Sequence, residues 1–121
     1  MPLVGLNRDA YLPDLAMSVN NLAVDLAQAG RRAEGLTAAQ QAVTLYRELV
    51  GLNRDAYLPD LAGSVNNLAV YLAEAGRRAE ALTAAQEAVT LYRELAQTDH
   101  DVFGSAAEQA DELVTALSKD A

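Results

Sequence analysis

The sequence predicts an all-α fold: a solenoid of αα-hairpin repeats that ends in a C-terminal capping helix. Three observations predict it. A segment of 46 residues occurs twice, each copy carries two amphipathic helical patterns, and a further helical pattern follows the second copy. Apolar residues make up 51% of the chain and only three residues are proline, which is the balance of a helical protein rather than of a sandwich or a barrel.

The duplication is the strongest of these signals. Residues 4–49 return as residues 50–95, and only five of the 46 aligned pairs differ. The differing pairs are Met17/Gly63, Asp25/Tyr71, Gln28/Glu74, Gly35/Ala81 and Gln41/Glu87. A period of this size is typical of an array in which one unit cannot bury its own apolar faces and packs on its neighbours. We therefore assign residues 4–49 as repeat one and residues 50–95 as repeat two of a single domain, residues 1–121.

Each copy contains two helices joined by a glycine turn. The first helix of repeat two has apolar residues at helical spacing, namely Leu61, Val65, Leu68 and Leu72. The second helix shows the same pattern after a break, in Leu82, Ala85, Val89 and Tyr92. Gly30 and Gly76 lie where the first helices should end, and glycine suits the left-handed residue that terminates a helix. The sequence therefore predicts one helical hairpin per repeat.

The start of the first helix has two solutions. Gly51 and Asn53 mark a break between the repeats. In one solution the helix begins near Leu58, with Pro59 in a first turn where its missing N–H needs no partner. In the other, Asn53 or Asp55 caps an earlier turn that is kinked or broken at Pro59. The sequence leaves both open.

The two ends of the array differ. After Leu95 the copy degrades, but residues 100–119 keep an apolar stripe, formed by Ala106, Ala110, Leu113 and Leu117. Arrays end in such helices, with one face on the last repeat and the other in water, so we predict a capping helix there. The N-terminal Leu3-Val4-Gly5 looks like the tail of a preceding second helix, which predicts an uncapped N-terminal face.

The segment from Asn66 to Leu82 resembles the tetratricopeptide repeat. The matching positions are Leu68, Ala69, Leu72, Gly76, Ala81 and Ala88 in repeat two, and Leu22, Ala23, Leu26, Gly30 and Ala42 in repeat one. The period of 46 exceeds the family's usual length of about 34 residues. In this, and in the motif Pro59-Asp60-Leu61-Ala62, the chain is similar to a long-period subfamily that includes kinesin light chains and bacterial arrays. The resemblance implies a right-handed superhelix.

The resemblance also implies a binding groove lined by the first helices. By position in the motif, the residues that should face it are Met17, Asn20, Val24 and Gln28 of repeat one, with Gly63, Asn66, Val70 and Glu74 of repeat two. Asparagine amides offer donors and an acceptor, so Asn20 and Asn66 are the candidates for contacts with a peptide backbone. The competing interpretation is that these asparagines, or the adjacent Asn21 and Asn67, bond a neighbouring helix instead.

Composition narrows the function classes. The formal net charge is −8 and Lys119 is the only lysine, so nucleic acid and anionic membranes would be repelled. Cysteine is absent, and we find no phosphate-binding, nucleophile or metal-ligand motif. His100 lies between Asp99 and Asp101, where a solvated loop is the ordinary interpretation. We therefore expect no catalytic residues, no metal and no cofactor, no nucleic-acid or membrane partner, and a cytoplasmic location.

Two functions from different classes fit this description. The first is a non-catalytic scaffold that binds a peptide or protein segment in the groove. The second is self-assembly, because near-identical repeats present near-identical end faces, so that an uncapped N-terminal face could receive a second copy of the chain.

Overall fold

The computed structural model describes residues 8–119, which form five helices joined by short turns. They are α1 (Arg8–Gln28), α2 (Arg32–Leu52), α3 (Arg54–Glu74), α4 (Arg78–Thr98) and α5 (His100–Ser118). No strand occurs within residues 8–119, and each helix packs against the next one along the chain. The prediction of an all-α helical-repeat solenoid is confirmed. The interpretation of Leu3-Val4-Gly5 concerns residues outside the described range.

The turn inside each hairpin follows from one glycine. Gly30 and Gly76 have φ angles of 82° and 78°, the left-handed region that side chains avoid. In repeat one, the N–H of Arg31 donates to the carbonyl of Leu26 at 2.9 Å, and the N–H of Gly30 donates to Ala27 at 3.1 Å. This is the bonding of a helix that ends on a glycine, and it confirms the predicted turns.

The link from repeat one to repeat two is a single residue, Asn53. Its backbone N–H donates to the carbonyl of Leu49 at 2.8 Å and so closes α2, while its side-chain Oδ1 accepts from the N–H of Ala56 at 3.2 Å and caps α3. Of the two predicted starts, the earlier one is therefore correct, with α3 unbroken at Pro59. The expected break at Gly51 is wrong, because Gly51 lies inside α2.

The C-terminal helix begins in the same way as α3. Asp99 lies 46 residues after Asn53, and its Oδ1 accepts from the N–H of Val102 at 3.2 Å. At the other end, the guanidinium of Arg78 donates to the carbonyl oxygens of Leu117 and Ala116 at 2.8 and 3.2 Å. Helix α5 thus lies on repeat two as the first helix of a third unit would.

The core follows the predicted apolar stripes. Leu61, Val65 and Leu72 of α3 are all buried, and Ala85 and Val89 of α4 pack in the same cluster. Alanine is frequent where helices approach closely, because its small side chain permits close packing. Leu12 and Leu49 are the largest fully buried side chains of repeat one. The first and second helices therefore meet along a mostly aliphatic seam.

Ion pairs join the helices at the surface. Within the repeats, Arg8 pairs with Glu48 and Arg54 pairs with Glu94, at equivalent positions 46 residues apart. Across the repeat boundary, the guanidinium of Arg47 donates to the Glu87 carboxylate at 2.8 Å. Such exposed pairs each contribute about 0–1 kcal/mol to the free energy of unfolding. They therefore affect the alignment of the helices more than the stability of the fold.

Candidate protein-interaction surface

The eight predicted groove residues form one stripe on each first helix. They follow one another at steps of three and four residues, which keeps them on one side of α1 and of α3. Every one of them is at least partly exposed, and Met17 reaches 52%. The alanines next to the stripe, Ala16 and Ala23 in α1 and Ala62 and Ala69 in α3, are buried. The helices therefore turn these alanines to the core and the stripe away from it.

The two groove asparagines have different surroundings. Oδ1 of Asn20 accepts a hydrogen bond from the hydroxyl of Ser64 at 3.1 Å, across the boundary between the repeats. Oδ1 of Asn66 is buried and has no hydrogen-bond partner. Sequence reasoning treated the two as equivalent because their local sequences are identical. The difference therefore comes from other parts of the fold.

The partner of Asn20 is Ser64 of α3, and the 46-residue period makes Ala110 of α5 the position equivalent to Ser64. Ser64 is only 2% exposed, and its hydroxyl is the donor that Asn20 uses. Ala110 lies 46 residues after Ser64, in a helix that starts as α3 does, and it is 1% exposed. An alanine at this position has no donor to offer. We therefore attribute the unsatisfied carbonyl of Asn66 to the lack of a hydroxyl at this equivalent position.

Two of the five copy differences lie at the boundary between the repeats. Tyr71 packs on the small cluster of Ala23, Ala38 and Ala39 in repeat one, and its burial, together with the charge of Glu74, raises the pKa of its hydroxyl. Its counterpart Asp25 is exposed, because repeat one has no repeat packed on that side within residues 8–119.

The second boundary difference is Gln41/Glu87. Glu87 is the acceptor for Arg47 of repeat one, whereas its counterpart Gln41 is exposed. Gly63, which replaces Met17 of repeat one, lies next to Tyr92: a Cβ placed on Gly63 would be 3.4 Å from the Tyr92 hydroxyl oxygen. Burial raises the pKa of that hydroxyl. The sequence shows these differences without showing which of them lie at the boundary.

The side of repeat one that points away from repeat two exposes both leucines and polar side chains. We call it the outer face and define it by Leu15, Ser18, Leu22, Asp25 and Gln41. Leu15 is 43% exposed and Leu22 is 50% exposed, whereas the counterpart of Leu15, Leu61, is 4% exposed because repeat one covers it. An open groove of about 500 Å³ lies beside Leu15 and Gln41 of the outer face and is also lined by Val19, Thr37, Gln40, Thr44 and Leu45.

The remaining chemistry of the surface is sparse. Within residues 8–119, no group of three His, Cys, Asp or Glu side chains is placed to hold a metal ion. None of the helices in that range is long and apolar enough to cross a membrane. The imidazole of His100 lies over Gly104, where an added Cβ would be 3.0 Å from Nε2. These features direct attention to the groove stripe and the outer face.

Comparison with protein families gives the same period as the structure. The model of the tetratricopeptide repeat matches residues 15–55 and again residues 61–101, and the two matches together cover more than half of the chain. This chain belongs to the tetratricopeptide repeat family. No curated protein and no solved structure gives a significant match. Tetratricopeptide repeats mediate contacts between proteins, so a protein partner is the expectation for this repeat array.

Proposed function

We propose that this repeat array is a non-catalytic interaction module that binds an extended or helical protein segment along α1 and α3. The observation that carries the proposal is the stripe of eight accessible residues, which combines amides, valines and a carboxylate on one side of the first helices. A surface of this kind offers both hydrogen bonds and apolar contact to a protein segment.

The asparagines supply the polar contacts of the proposed site. Oδ1 of Asn20 is engaged by Ser64 and Oδ1 of Asn66 is buried, so the amide N–H groups are the donors that a ligand would use. Backbone carbonyls are present in every peptide, and these amides would bind them whatever the ligand's sequence. Val24 and Val70 add apolar contact, and Glu74, where repeat one has Gln28, favours a basic residue at one end of the ligand.

Peptides selected from a random display library on the chain would test the groove without a known partner. We expect the selected peptides to bind the Val70→Glu variant about tenfold more weakly, since a charge replaces an apolar contact. The matched control is Gln86→Glu, which adds the same charge at an exposed position of α4. Equal affinities for both variants, measured by fluorescence anisotropy, would contradict the proposal.

The two asparagines give a second, sharper test. Asn20→Ala removes the acceptor of a buried hydroxyl and should lower both stability and affinity, whereas Asn66→Ala removes an unpaired oxygen and should lower affinity alone. If only Asn20→Ala weakens the selected peptides, and in proportion to its loss of stability, the asparagines are packing residues and not ligand contacts.

Self-association through the outer face is the second candidate. The exposure of Leu15 and Leu22 is the observation that favours it, because the equivalent leucines of repeat two are covered by repeat one. Light scattering over a wide concentration range separates the candidates. A mass that stays at 12.8 kDa excludes self-association under those conditions, and a mass that holds at a multiple of this value supports it.

A further inference from the structure

The boundary between the repeats is an internal template for the outer face. Repeat two presents to repeat one nearly the same residues that the outer face presents to solvent, and it is covered there mainly by α2. Leu15, Val19, Leu22 and Leu26 are unchanged in repeat two as Leu61, Val65, Leu68 and Leu72. The apolar part of the outer face is therefore suited to a helix.

Asp25 decides against a further copy of the chain's own repeat. At the boundary, the equivalent residue Tyr71 packs on Ala23, Ala38 and Ala39 of repeat one. A second copy placed on the outer face in the same way would put the same three alanines over the Asp25 carboxylate. A buried carboxylate without a partner is strongly unfavourable, so this arrangement is disfavoured.

The negative charge also lies at different positions on the outer face and on the equivalent, covered face of repeat two. In repeat two it lies on the second helix, where Glu87 accepts from Arg47. On the outer face that position is the neutral Gln41, and the carboxylate is on the first helix, at Asp25. A repeat of this chain would bring its arginine to Gln41 and its alanines to Asp25. Its arginine would then lack a carboxylate partner, and its alanines would leave the Asp25 carboxylate without a cation.

We infer that the outer face is a docking site for an amphipathic helix of another protein that carries Lys or Arg opposite Asp25. The apolar side of that helix covers Leu15 and Leu22, and its cation satisfies the carboxylate. Ser18 adds a hydroxyl that can donate to the partner, as its counterpart Ser64 donates to Asn20. The chain's net charge of −8 attracts a basic partner from a distance. This inference does not depend on the proposed groove.

Peptides with the sequence of α2 serve as probes, because α2 is the helix that covers the equivalent face of repeat two. One peptide is unchanged, and three carry a single lysine at the positions of Ala38, Ala39 and Gln40. These positions include the alanines near Tyr71 and the residue next to them. Affinities are measured by fluorescence anisotropy on the full chain and on its Asp25→Asn, Asp25→Tyr and Asp14→Asn variants.

We expect at least one lysine peptide to bind the natural chain about tenfold more tightly than the unchanged peptide, as a charge-assisted hydrogen bond would give. That gain should disappear in Asp25→Asn and persist in Asp14→Asn, which removes an equal charge elsewhere on α1. The unchanged peptide should prefer Asp25→Tyr, which restores the residue of the covered boundary. The groove variant Val70→Glu should not alter any of these affinities, which separates this site from the groove.

Three results would overturn the inference. The first is the absence of binding by every peptide. The second is a lysine gain that survives Asp25→Asn, since it would come from the overall charge alone. The third is a dimer of the natural chain that Leu15→Glu dissociates and Asp25→Tyr leaves unchanged, because the occupant of the outer face would then be a second copy.

Discussion

Replacing Ala110 by serine should stabilise the protein, which is unusual for a polar substitution at a buried position. Ala110 is 1% exposed, and the buried Oδ1 of Asn66 has no hydrogen-bond partner. At the other boundary, the equivalent pair is Ser64 and Asn20, whose atoms are 3.1 Å apart. Because position 110 is equivalent to position 64 by the 46-residue period, we expect a serine there to give Asn66 the donor that Asn20 already uses.

The magnitude follows from three terms. Satisfying a buried carbonyl recovers roughly 1–3 kcal/mol. Serine is less favourable than alanine inside a helix by about 0.5 kcal/mol, and burying its hydroxyl removes part of the remaining gain. The net expectation is an increase of about 1 kcal/mol in the free energy of unfolding, or about 4 °C in Tm for a chain of this length. The reverse change, Ser64→Ala, should cost about 1 kcal/mol because it leaves the Asn20 carbonyl unpaired.

Urea unfolding followed by circular dichroism measures this difference. We expect Ala110→Ser to raise the midpoint by about 0.5 M without a change of slope, since the surface exposed on unfolding is the same. In an Asn66→Ala background the same substitution should lower stability, because only the helix penalty of serine is left. A stabilisation of equal size in both backgrounds would refute the proposed hydrogen bond, and so would a loss of stability in the natural background.

Three further predictions use the same unfolding assay. Gly76→Ala should lower the free energy of unfolding by about 1 kcal/mol because the φ of Gly76 is positive. Gly51→Ala should raise it by about 0.5 kcal/mol, because Gly51 lies inside α2 and no neighbour is near the added Cβ. Equal effects of the two substitutions would contradict the turn geometry. Tyr71→Asp should cost roughly 2 kcal/mol, since it buries a carboxylate against alanines, and a neutral result would remove Tyr71 from the boundary. The hydrogen bond from Arg54 lowers the pKa of the Glu94 carboxyl below 4.5. The contribution of this pair to the free energy of unfolding is therefore present above that pH and is lost as the pH falls through the lowered value. Arg54→Gln should make the acid decline of stability shallower, and an unchanged decline would show that the pair contributes nothing.

Most of the fold could be predicted because it depends on local chemistry that repeats. The glycines at the ends of the first helices predict the hairpin turns, and both adopt the left-handed conformation. The apolar stripes of α3 and α4 face the core as their spacing predicts. The helix start at Asn53 could not be decided from sequence. Pro59 deprives the carbonyl of Asp55 of its helical partner, and only the packed structure shows that α3 continues through this defect.

The surface was harder to predict, because the role of a residue there depends on what covers it. Asn20 and Asn66 have nearly identical local sequences, yet Asn20 accepts from Ser64 and Asn66 Oδ1 has no partner. We attribute this difference to Ala110, which occupies the position of α5 equivalent to Ser64. Aligning α5 with α3 at the 46-residue period places Ala110 opposite Ser64 and so indicates this difference. That alignment is invisible to sequence identity, because α5 preserves the geometry of a first helix and few of its side chains.

The five differences between the copies are better understood by location than by number. At Tyr71 and Glu87, repeat two has side chains that make contacts across the boundary, one by packing and one by accepting from Arg47. At the same two positions repeat one has Asp25 and Gln41, both polar and both exposed. Random change in a duplicated segment gives no reason for both boundary positions to match what covers them. A difference in what covers the two faces explains why both positions match. A carboxylate within an otherwise unchanged apolar face then specifies the charge of the partner.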